Sequence, residues 1–531
     1  MLNSSFFTHR SMPDSPVGIE VNMYSTVMTS MIDGIRAVPV RVEADISTGM
    51  PVFDMVGYLA PEVREARERV RTALHNCGIV LPARRITINL SPGDRRKSGT
   101  GFDVAIAVAI LAALELVPAE NCRNLVLIGE LNLSGKIMPV KGVLPMVSDG
   151  IARGDRRFLV PAGNLGEGRL VKPAEVLGFD ALPEVIAYLR EGTYHEPVMK
   201  GENSRTKAEK PDFAEVNGQK FLKRAAEVAA SGMHNMLMVG PPGAGKTMIS
   251  ERMASILPPL TEREELELSK IYSVCGLLSG SQGLLKERPF RSPHHTISTA
   301  GLAGGGMIPM PGEISLAHNG VLYLDELTEF HKSTLEVLRQ PLENHKNHLT
   351  RAMGNVEYPA NFLLLASMNP CGCGYYPDRN RCRCSRPALR RYFEKVSQPL
   401  LDRMDICMEA PGVSFEELVA NSVNESSKDI RERVIACHEI QKKRYAGENF
   451  CFNSRIPASR IREFCRLGEK EERYMESMFH KMELTARTYH KILRVARTIA
   501  DMEQTAEIGL GHLNEAVCYR SMDEHFWGGL Q

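Results

Sequence analysis

Gly240-Pro241-Pro242-Gly243-Ala244-Gly245-Lys246-Thr247 sets glycines, a lysine and a threonine at the spacing of a phosphate-binding loop. The glycines let backbone N–H groups face phosphate oxygens. Lys246 can reach the β- and γ-phosphates, and Thr247 can hold Mg²⁺. The loop follows the short apolar strand Met236 to Val239 and leads into a helix, Met248 to Leu257. That strand–loop–helix setting separates a nucleotide site from a chance Gly-rich turn. Further along, a second apolar strand, Val321 to Leu324, ends in Asp325-Glu326. Asp325 can complete the Mg²⁺ shell, and Glu326 can polarise the attacking water. Together these pieces specify ATP hydrolysis, with ATP and Mg²⁺ as the implied cofactors.

A second constellation is thiol-based. Cys371-x-Cys373 and Cys382-x-Cys384 form two close pairs on a loop rich in Gly, Pro and Arg. Four thiolates on a short loop fit tetrahedral Zn²⁺. The one-residue spacing within each pair is tighter than in common zinc sites, so redox-active or idle thiols stand as the alternative. Neighbouring Arg381, Arg383 and Arg386 favour the thiolate form.

The elements around these residues read as α/β. In the N-terminal part, Val38 to Ile46, Arg85 to Leu90 and Leu125 to Ile128 read as strands. Pro61 to Asn76 reads as a helix with Pro at its start, and Phe102 to Leu114 as a buried helix. Residues 1–22 read as a tail, with Met12 and Met23 as alternative starts, and polar residues 192–212 as a linker. A second α/β region runs from 213 to 411. From 412 onward the pattern is helical, with Ser459–Leu467, Glu471–Thr488 and Tyr489–Met502 at helical spacing. Net charge is +1, from 65 Lys and Arg against 64 Asp and Glu. Bulk charge therefore announces no nucleic-acid partner, and any basic surface is local. The longest apolar run, Val104 to Leu114, is far short of the ~20 residues of a membrane span. With no apolar signal core in residues 1–16, the expectation is a cytoplasmic protein with no membrane partner.

Further residues carry a family resemblance. The run from Pro311-Gly312-Glu313-Ile314-Ser315 through Asp325-Glu326 resembles the signature of magnesium-chelatase-type AAA+ ATPases, as do Arg291-Ser292-Pro293-His294-His295-Thr296 and Leu400-Leu401-Asp402-Arg403-Met404-Asp405. Val63-Arg64-Glu65-Ala66-Arg67-Glu68-Arg69-Val70 and Asn89-Leu90-Ser91-Pro92-Gly93-Asp94 narrow the likeness to the ComM/YifB family. The resemblance implies a Lon-protease-like α+β domain over 23–191, an AAA+ P-loop core over 213–411 and a helical lid over 412–531.

The same resemblance assigns roles. Asn369 looks like sensor 1, Arg403 like an arginine finger that completes a neighbour's site, and Arg487 like sensor 2, with Arg494 and Arg497 as competitors. An arginine finger implies a ring, a homohexamer. Arg288 to His318 looks like the insertion in the second helix. His348 to Phe362 looks like the hairpin before sensor 1, and its tip residue Arg351 would line a pore and hold DNA backbone phosphate. In the Lon-like domain the nucleophile position falls on Gly101 and the dyad lysine on Leu144, which implies no proteolysis. Arg95, Arg96 and Lys97 form either a phosphate-binding edge or a solvated turn. The implied activity is an ATP-driven motor on single-stranded or branched DNA, a branch-migration helicase of recombination or natural transformation. The alternative is a magnesium-chelatase-like ATPase that remodels a protein or metal complex.

Overall fold

The computed structural model describes residues 23–197, 211–278, 283–306, 309–351, 354–378, 380–412 and 424–520. The tail at 1–22, residues 198–210 of the expected linker, and residues 413–423 and 521–531 of the expected helical region lie outside the described residues. The chain divides into two compact units that part near residue 199.

The first unit is built on a seven-stranded mixed sheet. Its order is Phe53–Val56, Arg85–Ser91, Arg36–Ser47, Met23–Asp33, Leu125–Leu127, Arg157–Pro161 and Glu175–Phe179. Arg36–Ser47 runs antiparallel to Arg85–Ser91, whereas the run from Met23–Asp33 to Glu175–Phe179 is parallel. Alternation buries Val40, Val42, Ala44 and Ile46 on one face. The helix Asp103–Ala113 is apolar all round apart from Asp103, and every residue of it is buried. The expected helix 61–76 is instead two helices, Pro61–Arg64 and Ala66–Asn76, joined through Glu65.

The second unit holds a five-stranded sheet, in the order Phe290–Arg291, Val321–Leu324, Leu363–Met368, Met236–Val239 and Ile406–Glu409. All four pairings are parallel. Such strands are covered on both faces, which is why they read as unbroken apolar runs. Lys220–Gly232, Lys246–Ile256, Ser427–Arg444 and Ala486–Met502 share one apolar core with this sheet. Phe290–Arg291, expected inside the insertion 288–318, is an edge strand of the sheet itself. The rest of that segment carries the helix Thr299–Ala303, the short antiparallel pair Gly304–Gly305 with Met310–Pro311, and the helix Glu313–Leu316.

The expected hairpin is present as Lys346–Arg351 paired antiparallel with Gly354–Pro359, closing on Arg351 opposite Gly354. The C-terminal helices break earlier than their periodicity suggests. They are Glu469–Lys481 and Ala486–Met502, parted by Glu483 in a left-handed conformation. The Thr485 side chain caps the second by accepting from Thr488 N at 3.2 Å. Arg487 therefore stands in the first turn of a new helix, not at the end of the preceding one.

Candidate nucleotide site and cysteine cluster

In a parallel sheet the loops after the strand C-termini form the ligand crevice. Gly240 to Thr247 occupies that edge, between Met236–Val239 and the helix Lys246–Ile256. Gly240 is required by close approach, because a Cβ there would lie 2.2 Å from Ala410 O. Gly243 and Gly245 adopt φ +79° and +77°, a backbone that favours glycine. Lys246 Nζ donates to Gly240 O at 2.6 Å, to Pro241 O at 3.0 Å and to Asn369 Oδ1 at 3.4 Å. Burial holds its pKa below the usual lysine range, partly opposed by the Asp325 and Glu326 charges.

Asp325 closes the site from the neighbouring strand end. Its Oδ2 accepts from Thr247 Oγ1 at 3.0 Å, and its Oδ1 accepts from Glu326 N at 2.9 Å and from Ser367 Oγ. Burial opposes ionisation, but hydrogen bonds from Ser367, Thr247 and Tyr323 outweigh it and keep Asp325 below the usual carboxylate range. A hydroxyl and an ionised carboxylate in direct contact suit a hard cation, so this pair fits Mg²⁺. Glu326 is exposed and sits at φ 52°, ψ 50°. Pro241, Pro242 and Ala244 complete the loop.

Sequence reasoning missed Ser367, Tyr323 and Tyr392. Tyr323 OH donates to Ser367 Oγ at 3.0 Å, which in turn holds Asp325. Tyr392 OH donates to Asn369 O at 3.0 Å. A polar Ser and a Tyr within otherwise apolar buried strands were the available signal.

Arg403 and Arg487 lie at the other edge of the sheet. Asn235, just before the strand Met236–Val239, donates from its side chain to Arg403 O at 3.0 Å. Arg403 donates to Arg339 O at 3.1 Å and to Pro399 O at 2.6 Å, and pairs with Glu343. Arg487 is 76% exposed and pairs with Asp402 at 3.2 Å. Both line a cavity of about 320 Å³ with Arg455, Lys491 and Arg494. Burial, then the charge of Arg520, lowers Lys491 to about 8. Arg497 is buried against Asp501, Thr505 O and Ala506 O, which removes it as a competitor for the Arg487 role.

The four sulfurs of Cys371, Cys373, Cys382 and Cys384 all lie within 4.8 Å of one another. Cys371 Sγ is 3.2 Å from Cys373 Sγ and 3.8 Å from Cys382 Sγ. Zn–S bonds near 2.3 Å put tetrahedral S···S edges at ~3.8 Å, so the set fits a four-thiolate zinc site. Hydrogen bonding from Cys371 lowers Cys373 to about 6, while burial pushes Cys382 up to about 12. The loop reaches the nucleotide site: a Cβ on Gly374 would lie 3.0 Å from Pro242 Cδ.

In the first unit, Leu144, at the expected dyad-lysine position, is fully buried, and the nearby lysine, Lys141, is exposed. Lys97 is buried and donates to Arg95 O at 2.9 Å, so it is no part of a phosphate-binding edge.

Comparison with known proteins finds relatives over most of the chain. The family described as magnesium chelatase, subunit ChlI, matches residues 212–418. Related ChlI families match 42–164 and 424–520. The chain is 41% identical over 503 residues to YifB of Escherichia coli, covering 94% of this chain and 97% of that protein. It is 38% identical over 503 residues to the competence protein ComM of Haemophilus influenzae, covering 92% and 96%. A shorter match, 28% over 177 residues, is to Lon protease 2 of Bacillus subtilis. The fold and site define a magnesium-chelatase-like AAA+ protein. The chain belongs to the ComM/YifB branch of that family, and membership implies ATPase activity. Among the described residues, no helix is long and apolar enough to cross a membrane.

Proposed function

We propose that the protein is a hexameric, ATP-driven DNA motor that migrates branches in DNA during recombination or natural transformation. One observation carries the assembly. The phosphate-binding loop and the Arg403–Arg487 face lie at opposite edges of one parallel sheet, separated by four-residue strands such as Met236–Val239. Such strands span ~13 Å, too far for Arg403 to serve its own chain's nucleotide. The arrangement supports arginines acting on a neighbouring subunit, with the cavity beside Arg403 receiving its phosphates. In the isolated chain Arg403 is held by Glu343 and two carbonyls, and assembly re-aims it.

Within each subunit, Lys246 and the loop N–H groups bind the phosphates. Thr247 and Asp325 are the residues that hold Mg²⁺, which, when bound, offsets charge on the transferring phosphoryl group. Glu326 orients and deprotonates the attacking water, and Asn369 reports the γ-phosphate to Lys246. The cysteine cluster holds zinc and stiffens the loop behind Pro242. The first unit lacks a Ser-Lys dyad and is non-proteolytic. The name of the relative ComM supports a role in competence. Hairpin residue Arg351 supports the DNA reading.

The deciding experiment is ATP turnover with and without single-stranded and branched DNA. Stimulation by DNA is expected. No stimulation by any DNA would favour remodelling of a protein or metal complex, which would use the same ATP site.

A further inference from the structure

The cysteine loop and the helix behind it carry a charge that nothing in the ATP site uses. From Arg381 to Arg391 the sequence sets five arginines, Arg381, Arg383, Arg386, Arg390 and Arg391, with no Asp or Glu among them. All five are exposed. The balanced net charge of +1 conceals this local concentration.

The fold draws them onto one strip. The sulfur cluster, within 4.8 Å, folds Cys382 and Cys384 back against Cys371 and Cys373. Cys382 is buried, and Arg381 and Arg383 flank it on the outside. The Arg381 guanidinium lies 4.0 Å from the centre of the Tyr375 ring, which is itself 37% exposed. Ser385 follows at once and caps the helix Arg386–Phe393, accepting from Ala388 N at 3.4 Å. Leu389 and Phe393 turn into the core, leaving Arg390 and Arg391 outside. Eight helical residues rise ~12 Å, roughly three or four phosphates along one strand. Little competes for these charges. Arg390 meets Glu394 at 3.1 Å in an exposed pair, which is weak. Asp378, the one acid between Cys371 and Arg391, accepts from Asn380 N at 2.9 Å. Among the described residues, Arg383 and Arg386 have no acidic partner.

The strip is joined to the ATP site at two points. Gly374 on the loop packs against Pro242. Tyr392, on the helix, donates to Asn369 O at 3.0 Å and accepts from Thr328 Oγ1 at 3.0 Å, two residues past Glu326. We infer that the strip binds the sugar-phosphate backbone of a single nucleic-acid strand, and that the helix carries this contact to the ATP site through Tyr392. Guanidinium groups match phosphate oxygens two at a time. The Arg381–Tyr375 stack adds a flat cationic face on which a base can lie. This contact comes from a different segment than Arg351. It rests on the DNA reading, and adds to it a second gripping element.

The test is fluorescence anisotropy of the full chain with a labelled oligothymidylate over a salt series, alongside ATP turnover with the same DNA. Combining Arg386→Gln, Arg390→Gln and Arg391→Gln leaves the cysteines untouched. Affinity should fall tenfold or more. The log–log salt slope should flatten by about 2, from ~0.7 per lost phosphate contact on a single strand. Turnover without DNA should match the parent. At DNA concentrations that saturate the variant, stimulation should stay well below the parent's. The separate pair Arg381→Gln with Arg383→Gln should weaken binding in the same way. Folded variants with the parent's affinity and slope overturn the strip. Full stimulation of the triple variant at saturation overturns the route through Tyr392. Displacement of the oligonucleotide by polyglutamate of equal charge as readily as by unlabelled oligonucleotide overturns the nucleic-acid assignment in favour of an acidic protein. Parent protein that binds no DNA instead overturns the DNA reading, and this contact falls with it.

Discussion

Arg487 Nη1 lies 3.2 Å from Asp402 Oδ2, one residue along from Arg403, at the edge of the parallel sheet opposite the phosphate-binding loop. The two arginines come from segments far apart in sequence, yet they share one cavity. Sharing a cavity remote from their own chain's nucleotide site is what the proposed action on a neighbour requires. Arg403→Ala should lower turnover by about a thousandfold, the scale of losing an arginine finger, while nucleotide still binds each subunit. Arg487→Ala should act in the same direction. Mixing Arg403→Ala with Glu326→Gln subunits should restore some activity, because some interfaces then carry both intact residues. No recovery under proven subunit exchange argues against action across the interface.

Glu326→Gln should retain ATP binding and lose turnover by about a hundredfold or more, the contribution of a general base. Asp325, Thr247 and Lys246 are untouched by that change. Lys246→Ala should weaken binding itself, since the ammonium that meets the phosphates is gone. Equilibrium binding of a labelled ATP analogue separates the two. Near-normal turnover in Glu326→Gln would remove it as the base.

Ser367→Ala should raise the Mg²⁺ concentration for half-maximal turnover about fivefold. That is the effect expected when Asp325 loses one hydrogen bond that orients it. Thermal midpoint should also fall modestly, because the buried Tyr323 OH loses the Ser367 Oγ that accepts its hydrogen bond. An unchanged Mg²⁺ dependence would mean that Thr247 and the Glu326 backbone suffice to orient Asp325.

Purified protein should carry about one zinc per chain, held by Cys371, Cys373, Cys382 and Cys384, as a closed structural site requires. Replacing Cys371 and Cys382 with Ser should release it. Because Gly374 packs against Pro242, ATP affinity should fall as well. Elemental analysis of protein prepared without chelator is the check, and an absence of zinc would leave four clustered thiols.

Much of this was legible in the sequence, for identifiable reasons. The strands Met236–Val239 and Val321–Leu324 are fully buried, so their apolar runs and flanking motifs fix their ends. The helix boundary near Arg487 was not legible, because apolar spacing continues across the Glu483 turn and the stop is a backbone conformation. The Phe290–Arg291 strand was hidden for a different reason. Two residues carry no periodicity, and only pairing with Val321–Leu324 makes them a strand. His295 Nδ1 lies 3.4 Å from Glu326 Oε2, a proximity that depends on that pairing register and so could not precede it. Lys97 shows the opposite failure: three adjacent basic residues read as a phosphate-binding edge or a solvated turn, and burial takes one of them out of either.

Arg351 stands at the closing pair of the hairpin Lys346–Arg351 and Gly354–Pro359, opposite Gly354. A basic residue at a hairpin tip, repeated around a ring, makes a positive pore without a basic net charge. Such a pore holds phosphate oxygens and not base edges, so binding should tolerate any sequence. It should also weaken steeply with salt, because each neutralised phosphate releases a counterion. Arg351→Ala should lower DNA affinity, flatten the salt dependence and reduce DNA-stimulated turnover. Lys442→Ala is the control, a 77% exposed charge on the helix Ser427–Arg444, away from the hairpin. Fluorescence anisotropy with single-stranded and branched DNA over a salt series reads both slopes. If Arg351→Ala binds and unwinds like the parent, or if both variants fail alike, the hairpin is not the element that grips DNA. The motor reading would then stand on DNA stimulation of the ATPase alone.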